Sequence, residues 1–144
     1  MSGPPTRPPI GLTLSRTAKT VGRAFDDALL TAGGGVPTWL ILISLKIRPS
    51  SNQRELADAV GIRGATLTHH LNALERDGLL SRHRDPDNRR VHQVRLTEQG
   101  EALFGRLAGA ARTFDTRLRA GLSDDEIATL ETLLGKLASN VADG

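Results

Sequence analysis

The sequence contains no cysteine and no tyrosine, and it has only one tryptophan and three phenylalanines. Without cysteine, the chain forms no disulfide, has no thiolate metal ligand and cannot sense oxidants through a thiol. Long apolar runs are also lacking, because the longest, residues 39–43, is far too short to span a bilayer. The N-terminus has prolines but no apolar stretch typical of a secretion signal. We therefore expect a cytoplasmic protein without membrane contact, whose core is built mainly from Leu, Ile, Val and Ala.

The chain does carry an excess of basic charge, and that excess is confined to one segment. The 144 residues have a net charge of +3, from 19 Lys and Arg against 16 Asp and Glu. Residues 63–95 contain seven Arg and four acidic residues, a local charge of +3, so the remainder has 12 basic and 12 acidic residues and sums to zero. All four histidines lie in the same segment. An otherwise neutral chain with one basic segment is typical of a protein that contacts nucleic acid.

Apolar spacing predicts a mostly helical chain after a proline-rich arm over residues 1–9. Apolar residues recur at intervals of three and four in the first predicted helix, and the three glycines at 33–35 end it. Asn52 with Glu55, and Ser123 with Glu126, have the spacing of capping boxes. The predicted helices cover residues 10–31, 37–47, 52–60, 64–77 and 97–120, and a last helix begins at 123.

Between the fourth and fifth helices, two short runs, residues 79–84 and 90–96, predict a β-hairpin. The intervening Asp-Pro-Asp-Asn is typical of a turn with proline at its second position. A short capped helix, a tight turn, a second helix and a hairpin together predict a winged helix-turn-helix. In such a domain the second helix fits the major groove of B-DNA, and arginines of the hairpin reach the backbone or the minor groove. The outward positions of the second helix are small or hydrogen-bonding: Ala65, Thr66, Thr68, His69, Asn72 and Arg76.

The segment QRELADAVGIRGATLTHHLNALERDGLL, followed by SRHRDPDNRRVHQVRLTEQG, resembles the core of the MarR family of bacterial transcription regulators. The resemblance covers roughly residues 10–140. It implies a mainly α fold with a small β-hairpin wing, in which residues 36–96 form the winged helix-turn-helix DNA-binding domain. Residues 10–32 and 97–144 would form a helical dimerisation region. The implied function is that of a homodimer, expected to be a repressor, that binds a near-palindromic operator in double-stranded DNA.

The most specific motif of this resemblance is the wing element at residues 87–89, which leads into RLTEQG. In the family the wing arginine enters the minor groove, and the acid two residues earlier braces it through an ion pair. The resemblance therefore implies these two roles for Arg89 and Asp87. It also implies that Arg84 and Arg90 contact the DNA backbone.

The sequence departs from the usual family pattern at two positions of the second helix. Ala65 stands where serine is common, and His69 stands where arginine is common. The predicted DNA-binding residues are Arg63, Thr66, Thr68, His69, Asn72, Arg76, Arg84, Asp87, Arg89 and Arg90.

Catalysis and metal binding fit the sequence less well. The letters His-Arg-Asp at 83–85 match the start of a kinase catalytic loop, but Arg90 stands where that loop needs asparagine. His69 and His70 diverge by about 100° on a helix and cannot chelate one ion, whereas His83 and His92 could face each other across the hairpin. We expect no enzyme activity, no cofactor and no metal site.

Two alternative functions and one further ligand stay open. An ArsR-like metal-responsive regulator is one alternative, because a THHL sequence occurs in such sensors, although they lack the long first helix. A winged-helix adaptor that binds protein instead of DNA is the other, but it gives no reason for the basic charge at residues 63–95. The resemblance also implies a crevice for a small aromatic or lipophilic effector, with Phe25, Trp39, Ile43 and Lys46 as candidate lining. Core packing is the simpler role for the two aromatic residues.

Overall fold

The computed structural model describes residues 2–4, 6–88 and 92–142. The described chain is mostly helical and contains one small antiparallel sheet, which confirms the predicted fold class. Each predicted helix boundary lies within two residues of the observed one. The elements are α1 Ile10–Ala32, α2 Val36–Ile47, β1 Ser51–Asn52, α3 Gln53–Val60, α4 Gly64–Arg76, β2 Leu80–Arg84, β3 His92–Leu96, α5 Glu98–Leu118 and α6 Asp124–Val141. The chain divides into two compact units, residues 1–111 and 112–144, with the boundary inside α5.

Local signals in the sequence determine where several helices begin. The Asn52 side chain accepts a hydrogen bond from the Glu55 backbone N–H at 2.7 Å, and the Ser123 hydroxyl accepts one from the Glu126 N–H at 3.1 Å. Each glutamate accepts a bond from the capping residue in return, which confirms both predicted capping boxes. Thr97 caps α5 by accepting a bond from a backbone N–H three residues later at 3.1 Å.

The wing is a three-stranded antiparallel sheet in the order β1-β3-β2. Ser51 and Asn52 add the strand that the sequence did not predict, by pairing with Val94 and Gln93 of β3. Two residues are too few to show the alternating pattern of a strand, and their pairing partners are distant in the chain.

The register of β2 and β3 corrects one expectation about the histidines. His83 is paired with Gln93, and His92 is paired with Arg84. Directly opposed residues share a face of the sheet and successive residues alternate, so His83 and His92 lie on opposite faces. The interpretation that they could face each other across the hairpin is therefore wrong. Within the described ranges, no group of three or more His, Cys, Asp or Glu is placed to hold a metal ion.

The apolar helix α2 is central to the first unit. Its Ile41 and Leu45 pack in one buried cluster with residues of α3, α4 and the sheet, namely Leu56, Leu67, Leu71, Leu74, Leu80 and Val94. Its Leu42 packs in a second cluster with residues of α1 and α5, namely Leu29, Leu103 and Leu107. Each fully buried leucine contributes about 1.5–3 kcal/mol to the stability of the fold. The first cluster therefore holds both α4 and the wing against α2.

Each unit, taken by itself, leaves apolar side chains exposed. On α1 of the first unit, Ile10 is 66%, Leu12 is 41% and Leu14 is 38% exposed. On α6 of the second unit, Leu130 and Leu134 are 45% and 40% exposed. In the described chain, no single helix is long and apolar enough to cross a membrane, although α1 and α2 together, bent by 73°, pass on length and composition.

Candidate nucleic-acid interface

The outward side of α4 is polar and exposed. The inward leucines of α4 are buried in the first cluster, which leaves Thr66, His69, Asn72 and Arg76 in contact with solvent on the other side. These four positions follow one another at intervals of three or four residues and therefore lie on one side of the helix. Their hydroxyl, imidazole, amide and guanidinium groups are suited to phosphates and base edges. We refer to these four residues as the polar stripe.

The start of α4 is suited to an anion. α3 ends at Gly61, whose φ of 77° is a left-handed conformation that glycine adopts without strain. Arg63 is exposed and is the N-cap residue of α4. An arginine side chain has only donors, so it cannot accept hydrogen bonds from the first N–H groups of the helix. Those N–H groups therefore have no side-chain cap and stay available to a phosphate, while the DNA contact of Arg63 stays a prediction.

Thr68 differs from the polar stripe because it is half-buried and its hydroxyl makes two hydrogen bonds inside the domain. It donates to the Gly64 carbonyl at 2.9 Å and accepts from Gln53 Nε2 at 2.5 Å. Since Gln53 is the first residue of α3, this bond joins the two helices of the helix-turn-helix. No sequence pattern predicts this pair. The contact of Thr68 with DNA stays a prediction.

Arg82 of β2 links the wing to α4. Its side chain is only 18% exposed, and the residue directly opposite it is the buried Val94. Its Nη2 donates to Asn72 Oδ1 and lies 3.3 Å from Glu75 Oε1. A mostly buried charge requires such partners. Arg82 is absent from the predicted set, although its position two residues after the inward-facing Leu80 is the signal that could have identified it.

The tip of the wing is turned by Asp85. Its Oδ1 accepts a hydrogen bond from the Asp87 backbone N–H at 2.8 Å, which confirms the predicted turn chemistry of Asp85. Arg84 and Asp87 are both exposed. Arg89 and Arg90 lie outside the described residues. The minor-groove contact of Arg89, its brace by Asp87 and the backbone contacts of Arg84 and Arg90 therefore stay predictions.

The arginines of the basic segment are not equally available to a ligand. Arg82 is mostly buried and paired with Glu75. Arg63, Arg76 and Arg84 are exposed, at the start of α4, at its end and at the end of β2. The structure therefore places exposed cations at both ends of the polar stripe and on the wing.

An aromatic pair lies apart from this surface. Trp39 and Phe104 are stacked, with ring centroids 5.7 Å apart and planes inclined by 8°, and both pack with Phe25 against the second cluster. Trp39 and Phe25 therefore pack against the core and remain half-buried. Lys46 Nζ lies 5.5 Å from the Phe104 ring centroid and 2.9 Å from Glu101 Oε2.

A helix-turn-helix with an exposed polar second helix and an adjoining wing defines the winged helix-turn-helix class of DNA-binding proteins. A family model described as the MarR family matches residues 36–92. The solved structure of the transcriptional repressor CouR, bound to a 23-mer DNA duplex, is 30% identical with a TM-score of 0.82, over 90% of this chain and 92% of that chain.

Two further solved structures are similar. A cysteine-to-serine mutant of MarR from E. coli, complexed with operator DNA, is 25% identical with a TM-score of 0.80, over 90% of this chain and 93% of that chain. PcaV from Streptomyces coelicolor, in complex with its natural ligand, is 26% identical with a TM-score of 0.77, over 99% and 100% of the two chains. The chain belongs to the MarR family of transcription regulators. The ArsR-like alternative is therefore not supported.

Proposed function

We propose that the protein is a homodimeric repressor that binds a near-palindromic operator through α4 and the wing. The polar stripe carries this proposal, because it lies on a helix whose opposite side is held in the core. An α-helix with its side chains is about 10–12 Å wide, which matches the major groove. The similarity to CouR, a transcriptional repressor bound to duplex DNA, supports the assignment.

The proposed contacts divide between backbone and bases, as they do in other protein–DNA complexes. The phosphate contacts come from the first N–H groups of α4 and from Arg63, Arg84 and Arg90. The contacts to base edges in the major groove come from Thr66, His69, Asn72 and Arg76. Arg89, braced by Asp87, enters the minor groove.

The homodimer explains the apolar side chains that each unit leaves exposed. Ile10, Leu12 and Leu14 on α1, and Leu130 and Leu134 on α6, would be covered by a second copy of the chain. In a two-fold symmetric dimer the two α4 helices lie about 34 Å apart, one helical turn of DNA, and meet the two halves of a near-palindrome.

The proposal includes release from DNA by a small aromatic or lipophilic effector. The half-buried stack of Trp39 on Phe104 offers aromatic surface, and Lys46 offers a cation beside it. With Phe25 and Ile43, these residues are the proposed lining. The similarity to PcaV, solved with its natural ligand, supports an effector.

A mobility-shift assay with the DNA upstream of the protein's own gene tests the proposed function. We expect a discrete shifted band that excess non-specific DNA does not remove. A winged-helix adaptor that binds only protein would give no shift with any duplex.

Arg89→Ala is expected to weaken operator binding by about 1–3 kcal/mol without changing the oligomeric state, because it removes one minor-groove contact per subunit. Isothermal titration calorimetry with the upstream DNA fragment that shifts in the mobility assay measures the loss of affinity. Arg117→Ala, which removes an exposed charge of the same sign from α5, is the matched control and should bind as the wild type does. Equal affinities of the wild type and Arg89→Ala would refute the role of Arg89.

A further inference from the structure

We propose that Asn72 contacts DNA as a hydrogen-bond donor only, and that Arg82 imposes this by holding the oxygen of the Asn72 side-chain amide. Asn72 then selects a base edge that presents acceptors, guanine in preference to adenine. This inference deepens the proposed function and rests on it, because it concerns which base α4 selects in the major groove.

The chemistry of the two side chains determines the orientation of the amide. A guanidinium carries five N–H donors and no acceptor, whereas a side-chain amide has one oxygen that accepts and one nitrogen that donates. With the nitrogen toward Arg82, two donors would face each other. The oxygen must therefore face Arg82, as the structure has it, with Nη2 donating to Asn72 Oδ1.

Arg82 is itself held, so the amide is held with it. Its side chain is 18% exposed and lies 3.3 Å from Glu75 Oε1, one turn further along α4. A hydrogen bond from a charged donor is about twice as strong as one between neutral groups. Asn72, in contrast, is exposed. The oxygen is thus turned toward the protein, and Nδ2 is the polar atom left for a ligand.

This arrangement changes which base the residue prefers. An unconstrained asparagine pairs with adenine through both amide atoms, because its oxygen accepts from the adenine N6 amino group while its nitrogen donates to N7. With its oxygen turned toward Arg82, the Asn72 amide presents only Nδ2 to the groove. It can then make only the second of these bonds, and its amino group faces the amino group of adenine. Guanine offers acceptors at both N7 and O6, so the same amino group meets no donor there.

Asn72→Asp tests the inference and preserves the contact with Arg82. The carboxylate still accepts from the guanidinium, now as an ion pair, but it has no donor for DNA. Duplexes enriched from a randomised pool by the wild type and by Asn72→Asp are sequenced. We expect guanine at one position of each half-site for the wild type, and cytosine, which presents the N4 donor, for the variant. Affinity of the variant for the wild-type site should fall on the order of tenfold.

Arg82→Met provides the converse change, since it removes the donors and keeps a long apolar stem. Without the bond to Arg82, the Asn72 amide can use both of its atoms, and adenine should be enriched at the same position. Thr66→Ala is the matched control, because it should alter a different position of the enriched site. The melting temperature of each variant shows whether it folds, and Asn72→Asp decides the matter alone if Arg82→Met does not fold.

The outcomes separate this inference from the proposed function. Adenine at the Asn72 position in the wild-type site, or identical sites for the wild type and Asn72→Asp, would overturn the inference and leave the proposed function intact. If no duplex is enriched by the wild type, the proposed function is wrong and the inference is overturned with it.

Discussion

Replacing Gly100 with alanine is expected to lower the free energy of unfolding by about 3 kcal/mol, at the upper end of overpacking effects. A Cβ at this buried position would lie 1.9 Å from the carbonyl oxygen of Leu79 and 3.1 Å from its carbonyl carbon. Both atoms belong to the backbone, so no change of rotamer relieves the contact. The same carbonyl accepts a hydrogen bond from the Thr97 N–H at 3.2 Å, which joins the residue before β2 to the residue before α5. Alanine must therefore move α5 away from the wing.

Gly105→Ala is the matched control for this prediction. Gly105 is exposed in the same helix. Apart from its two chain neighbours and the backbone of its own helix, none of the described atoms lies within 4 Å of a Cβ built there. Since glycine is a poor helix former, alanine at this position should stabilise the protein by about 0.5–1 kcal/mol. Urea unfolding of both variants measures the two effects. Equal effects, or a stable Gly100→Ala protein, would contradict the close approach of α5 to Leu79.

Leu130→Asp and Leu134→Asp, introduced together, are expected to convert the proposed homodimer to a monomer. Both leucines are exposed in the single chain, so charge on them should cost little if no partner covers them. In a dimer, the same change buries two unpaired carboxylates per subunit. Since half-sites bound by separate monomers lose the benefit of linkage, operator affinity should fall by about a hundredfold or more. Sedimentation equilibrium and DNA titration measure the two results.

Thr132→Asp separates the effect of charge from the effect of position. Thr132 is exposed on the same helix, about 180° around the axis from the midpoint of the two leucines, and the Thr132→Asp protein should remain dimeric. Circular dichroism of all variants checks that α6 still forms. A doubly substituted protein that stays dimeric would show that α6 does not contribute to the interface.

The helices could be predicted from the sequence because their signals are local. Asn52 with Glu55, and Ser123 with Glu126, provide both hydrogen bonds of a capping box within four residues of sequence. Gly33, with φ of 123°, ends α1 where the glycine run predicts it. The inward leucines of α4 follow from spacing alone, and with them the outward polar stripe.

The interactions that could not be predicted join residues far apart in the chain. Gln53 reaches Thr68 only because α3 and α4 pack at a particular angle, and Arg82 reaches Asn72 only because the wing lies beside α4. The spacing of residues within one element predicts neither the packing angle of the two helices nor the position of the wing. For the same reason the apolar stripe of α1 does not reveal that Leu29 is fully buried within the chain while Leu14 is 38% exposed.

The sequence predicts which α4 residues are exposed at the candidate site better than it predicts what each residue does there. The exposed positions of α4 follow from helical periodicity, whereas the engagement of Thr68 with Gln53 depends on tertiary packing. Arg82 shows the limit most clearly. A count of charge assigns it to the DNA-binding segment, but its burial beside Glu75 makes it an internal positioning residue.

Sequence-specific binding of duplex DNA is tested most directly by a comparison of two dissociation constants. Fluorescence anisotropy measures the affinity of the full chain for the shifted upstream fragment and for a scrambled duplex of equal length and composition, at the same salt concentration. A regulator that contacts bases through α4 and the wing should bind the upstream fragment about a thousandfold more tightly or better. Both affinities should fall steeply with salt, because both include phosphate contacts. Equal dissociation constants for the two duplexes would contradict sequence-specific binding by this surface.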